Sequence, residues 1–123
     1  MATLNDRVLD NGLTVLDTEA NRVDICSSEP TTYAAATSTL TLGNETSISI
    51  SAPANASPNG RKVTLSAITG ASVTATGTAT HYAISDTGNS RLLATGVFST
   101  SQPVISGDKF SLASSDIRIS DPS

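Results

Sequence analysis

Residues 74–97 read TATGTATHYAISDTGNSRLLATGV, an alternating strand, a polar turn and a second strand in succession. Alternation puts Thr74, Thr76, Thr78, Thr80, Tyr82 and Ile84 on one face and Ala75, Gly77, Ala79, His81 and Ala83 on the other. Asp86 to Ser90, with Gly88 and Asn89, supplies the turn chemistry. A hairpin of this kind predicts a β-sandwich. His81 is the only histidine of the chain, and a strand of threonines is a poor setting for an active site.

The same punctuation recurs along the chain. Val23 and Ile25 predict a strand that residues 29–32 (EPTT) break, and residues 33–36 predict a brief helical turn. Further strands are expected at residues 40–42, at 47–51 with Ile48 and Ile50, at Val63, Leu65 and Ala67, at Phe110 with Leu112, and at Ile117 with Ile119. The run PANASPNG (53–60) reads as a loop ending in a tight turn, and residues 102–106 with Pro103 as a connection. About seven short strands spaced about ten residues apart predict an all-β, antiparallel β-sandwich with immunoglobulin-like or jelly-roll connections. Serine and threonine make up 37 of 123 residues. Threonine alternates here with apolar residues instead of clustering with Pro or Gly, which assigns it to strand faces rather than to disorder.

The first twenty residues differ from the rest. Asn5 or Asp6 can cap a short helix in which Leu4, Val8 and Leu9 recur at helical spacing, with Gly12 as a left-handed stop before Leu13, Val15 and Leu16. Such a segment is either a flap packed on the sandwich or an arm docked on a neighbouring subunit. The expected organisation is an N-terminal arm, helical or extended, over residues 1–20 and a β-sandwich domain over residues 21–123. Leu4, Arg7, Val8 and Leu9 are the residues an arm offers to a partner. Arg91 is a fifth candidate contact, with a cross-strand ion pair to Asp86 as its local alternative.

Composition narrows the function classes. With no Trp and only Tyr33, Tyr82, Phe98 and Phe110 as aromatics, the core has to come from Leu, Ile, Val and Ala, so an isolated monomer is expected to be moderately stable. Net charge is −4, and Arg7, Arg22, Arg61, Lys62, Arg91, Lys109 and Arg118 are scattered, whereas a nucleic-acid binder needs a clustered cationic face. No apolar run approaches the roughly 20 residues that span a bilayer. The opening MATLNDRVLDNG has neither a basic nor an apolar signal region, so synthesis and folding are expected in the cytoplasm. The single Cys26 excludes an intrachain disulfide; within RVDIC it reads as a buried free thiol, with pairing to another chain as the alternative.

Candidate chemistry is sparse. Cys26 and His81 could form a nucleophile and base only if the fold joined them. Asp6, Asp10, Asp17, Glu19 and Asp24 cluster early, yet no DxDxDG or HExxH pattern accompanies them, and they are expected to solvate a surface or meet arginines on a partner. Four aromatics are too few for a sugar-processing cleft with opposed carboxylates, and neither GxxxxGK[ST] nor GxGxxG occurs. The sequons at Asn44 and Asn55 are those expected by chance in a Ser/Thr-rich chain. No catalytic residue, cofactor or metal is expected.

The segments NDRVLDNGLTVLDTEANRVDICSSEPTTYAAA, NGRKVTLSAI, GTATHYAISDTGNSRLLATG and FSLASSDIRISDP, which together cover nearly the whole chain, resemble small proteins encoded among the virion structural genes of tailed bacteriophages and prophages of Gram-negative bacteria. The resemblance brings no catalytic motif with it. It implies a structural component of the particle, first a capsid decoration or cement protein bound to the major capsid protein in many copies. Collar, tail or fibre subunits and adhesin-like domains come second.

Overall fold

Alternation of β-branched and apolar residues generates most of the regular structure. The computed structural model describes residues 3–4, 12–46, 48–55 and 61–119. In chain order these form β1 (Thr3–Leu4), α1 (Thr14–Glu19), β2 (Arg22–Cys26), a π-helical turn (Ala35–Thr39), β3 (Thr41–Glu45), β4 (Ala54–Asn55), β5 (Arg61–Leu65), β6 (Ile68–Val73), β7 (Gly77–Asp86), β8 (Arg91–Val104), β9 (Lys109–Leu112) and β10 (Ser115–Ile119). Among the described residues the strands make a seven-stranded sheet, ordered β1-β8-β7-β2-β3-β6-β9, and a three-stranded sheet, ordered β10-β5-β4. Every pairing is antiparallel. The all-β expectation therefore holds. The seven-and-three division differs from the four-and-three sheets of an immunoglobulin domain and from a two-sheet, eight-stranded jelly roll.

One apolar core joins the two sheets to α1. Val23, Ile25, Ile84 and Leu93 enter it from the large sheet, Val63, Leu65 and Ile117 from the small one, and Leu13, Val15 and Leu16 from the helical segment. Full burial of such side chains is worth roughly 1.5–3 kcal/mol each. Gly12 is left-handed (φ 71°), as the sequence suggests, but a helix follows it: Val15 N–H donates to the Gly12 carbonyl at 3.2 Å. The helix expected over Leu4, Val8 and Leu9 lies outside the described residues, apart from Leu4, which is extended in β1 and pairs with Ala94 of the same chain.

The hairpin of β7 and β8 forms as the sequence predicts, with two departures. Its register shifts between Ala79 and His81 and again between Ile84 and Ser85. The first shift breaks the two-face assignment: Ala79 is buried in the core, where Tyr82 and Ile84 also pack, while Thr78 is exposed. The second strand runs on to Val104, through the residues expected to be a connection. Of the strand expected over residues 47–51, residue 47 lies outside the described residues and the rest contribute an isolated bridge from Ile50 to Leu65.

Candidate functional site

β2 is buried on both faces. Val23 and Ile25 point into the main core, and Arg22, Asp24 and Cys26 point the other way, toward the π-helical turn. There Cys26, Ala36 and Ala83 form a second small cluster. The register sets Cys26 directly opposite His81 on β7, so the fold brings together the two side chains from which a nucleophilic pair could be made. Their surroundings do not activate them. The thiol contacts the Ala36 carbonyl (Sγ to O 3.7 Å), and burial pushes its pKa up to about 12, against the thiolate that nucleophilic chemistry needs. The Nδ1 of His81 shares a 2.8 Å hydrogen bond with the Thr80 hydroxyl. The expected buried free thiol is what the structure contains.

The neighbouring carboxylate is held just as firmly. Asp24 is fully buried and accepts two hydrogen bonds from Arg22, at 2.8 and 2.9 Å, and one from the Thr41 hydroxyl at 2.6 Å. The hydrogen bond to Asp24 raises the Arg22 pKa above its ordinary value. Asp24 is expected at a surface or against a partner's arginine; its arginine instead lies two residues away on the same strand face. Next to this network the Ser85 hydroxyl is buried without a hydrogen-bond partner among the described residues.

Arg91 also departs from expectation. It is the register partner of Asp86, but its guanidinium approaches Glu19 of α1 at 3.6 Å. Asp86 is taken up by the turn, where Oδ1 accepts from the Gly88 N–H at 3.0 Å and Oδ2 from the Asn89 amide at 2.7 Å. Asn21 clamps the same turn, exchanging hydrogen bonds with the hydroxyl and N–H of Thr87. Of the other candidate contacts, Leu4 lies in β1, and Arg7, Val8 and Leu9 lie outside the described residues, as do Asp6 and Asp10.

A feature the sequence reading missed is a cleft of about 700 Å³ between the open parts of β8 and β9 and the small sheet. The buried Ile25, Leu65 and Phe110 line it together with Tyr82, Phe98 and Gln102. Tyr82 and Phe98 pack at 5.9 Å between ring centroids, tilted by 40°. Burial raises the Tyr82 pKa, opposed by a hydrogen bond with Ser115 of β10. No local pattern announces this cleft, because its walls come from strands that are distant in sequence or diverge from the turn at residues 105–108.

Among the described residues no group of three or more His, Cys, Asp or Glu is placed to hold a metal ion, and no helix is long and apolar enough to cross a membrane. In comparisons with known proteins, the chain matches no family model, no curated protein and no solved structure.

Proposed function

We propose that the protein is a non-enzymatic structural component of a tailed-phage particle, a decoration or cement protein that binds the outer capsid lattice. The reading rests on the expectation that the segments from NDRVLDNG through FSLASSDIRISDP belong to a small virion protein. Two features of the site support it. Of the side chains best suited to covalent chemistry, Cys26 is buried against the Ala36 carbonyl and His81 is hydrogen-bonded to the adjacent Thr80 hydroxyl, and the buried carboxylate of Asp24 is taken up by Arg22. A small β-domain gains little from one weak contact, but copies bound at many equivalent lattice positions bridge neighbouring capsomers and share the load of internal pressure. In this role the partners are the major capsid protein and further copies of the chain, and the protein resides in the virion after assembly in the host cytoplasm.

The cleft with Tyr82 and Phe98 favours a second reading, an adhesin-like domain of a tail or fibre that binds host glycan or envelope through its aromatic wall. Incubating purified protein with assembled capsids separates the two. A cement protein saturates at a fixed ratio to the capsid subunit, and capsids lacking it release DNA more readily on heating or chelation. Protein that ignores capsids yet binds host cells or polysaccharide contradicts the cement role.

A further inference from the structure

β8 and β9 follow each other in the chain, joined by a turn in which the Asp108 N–H donates to the Ile105 carbonyl at 3.0 Å. They do not pair as a hairpin. In the order of the large sheet β8 lies next to one end and β9 at the other, so this short connection requires the sheet to curl and bring its ends face to face. The cleft is the gap between them. β9 pairs with β6 along one edge, through Lys109, Phe110 and Leu112, and among the described residues no strand pairs with its other edge. That free edge opens onto the cleft. A cavity over one face of a strand meets every second residue, whereas this one is lined by five consecutive residues, 109–113, of which Phe110 is buried and Lys109 and Ser111 are exposed.

We propose that the cleft receives an extended polypeptide segment of a partner protein, laid as a strand along the free edge of β9. A strand edge presents N–H and C=O groups in a regular repeat, which the backbone of another chain matches and a saccharide or lipid does not. The pleat then sets the chemistry of the guest. Residues beside Phe110 and Leu112 turn toward Ile25 and Leu65 and are apolar, while those beside Lys109 and Ser111 turn outward and are polar. No acidic residue lines the cleft, and Lys109 is the one charged residue that does, so the outward position across from it suits Asp or Glu. Val97, 52% exposed and part of the same lining, offers the apolar positions a further contact. The inference does not depend on a role in the virion.

The test titrates the full chain with the synthetic peptide acetyl-Thr-Val-Glu-Val-Thr-Val-amide, following backbone amides by NMR, and repeats the titration with Lys in place of the peptide's Glu. At up to about 1 mM peptide, the amides of residues 109–113 are expected to shift saturably and to exchange with solvent more slowly. The Lys peptide should bind about threefold or more weakly, and Lys109→Glu, an exposed substitution that should melt close to wild type, should reverse the preference. The proposal is overturned by a peptide that shifts nothing at that concentration, by shifts that spare residues 109–113, or by a preference that Lys109→Glu leaves unchanged. It is overturned equally if maltohexaose, a neutral oligosaccharide, shifts the residues of the cleft and the peptide does not.

Discussion

Tyr82 stands directly across the β7–β8 ladder from Gly96, and its ring fills the space a side chain at Gly96 would need. The missing Cβ lets the ring lie over the strand, where it packs against Phe98 and lines the cleft beside the small sheet.

Two glycines are expected to respond differently to a methyl group. A Cβ at Gly43 would stand 2.6 Å from the Ser72 carbonyl oxygen, which is backbone and cannot swing aside. Gly43→Ala is expected to cost about 1–3 kcal/mol in urea unfolding. Gly96→Ala meets a movable ring instead, and its cost should largely disappear in a Tyr82→Leu background. Equal costs in both backgrounds would show that the ring contact is unimportant.

Substitutions at Asp24 and Ser85 should have opposite signs. Asp24→Ala removes the carboxylate that accepts two hydrogen bonds from the partly buried Arg22 guanidinium and one from Thr41, and about 2–3 kcal/mol of stability should be lost. Ser85→Ala removes a buried hydroxyl that has no partner among the described residues and should be neutral or stabilising by about 1 kcal/mol. Denaturant midpoints of the two variants check both.

Cys26 should resist alkylation in the native protein at pH 8 and react fully once the chain unfolds. Its folded pKa of about 12 lies above the ordinary 9.0, so below pH 9 the group is protonated in both states and costs nothing. Between pH 9 and about 12 only the unfolded chain ionises, so stability falls with rising pH, by up to about 1.4 kcal/mol per unit. The buried Tyr82 phenol acts in the same direction above its ordinary 10.0. Measured as urea midpoints between pH 8 and 11, the decline should be shallower in Cys26→Ala; parallel curves would mean that the thiol is not held protonated.

The amino-terminal segment divides at Gly12. Leu13, Val15 and Leu16 lie in the main core, so Leu16→Ala should cost about 2–5 kcal/mol. Deletion up to Gly12 spares those three, and the truncated protein is expected to stay folded while binding capsids less well. Loss of cooperative melting on truncation would place the deleted residues among those the fold requires.

What the sequence disclosed follows the range of its interactions. The β7–β8 hairpin, β2, the helical turn near Ala36 and the last two strands are local patterns, and all are present. The faces of β7 depart from simple alternation because its pairing with β8 shifts register at Ala79/His81. β6 was overlooked: Gly70, with φ 66°, and the small Ala71 and Ser72 dilute its strand signal, and only pairing with β3 and β9 makes it a strand. The meeting of Cys26 with His81 and the cleft beside Tyr82 depend on sheet order, which no window of sequence contains. The Asp86–Arg91 ion pair failed for a local reason, since turn N–H groups compete for the same carboxylate.

A reconstruction of the phage particle at a resolution that traces this chain tests the central claim most directly. The account predicts ordered copies on the outer capsid surface, in a fixed ratio to the major capsid protein and bridging adjacent capsomers. Particles in which the chain is confined to the tail tip or fibres, or from which it is absent, would contradict it.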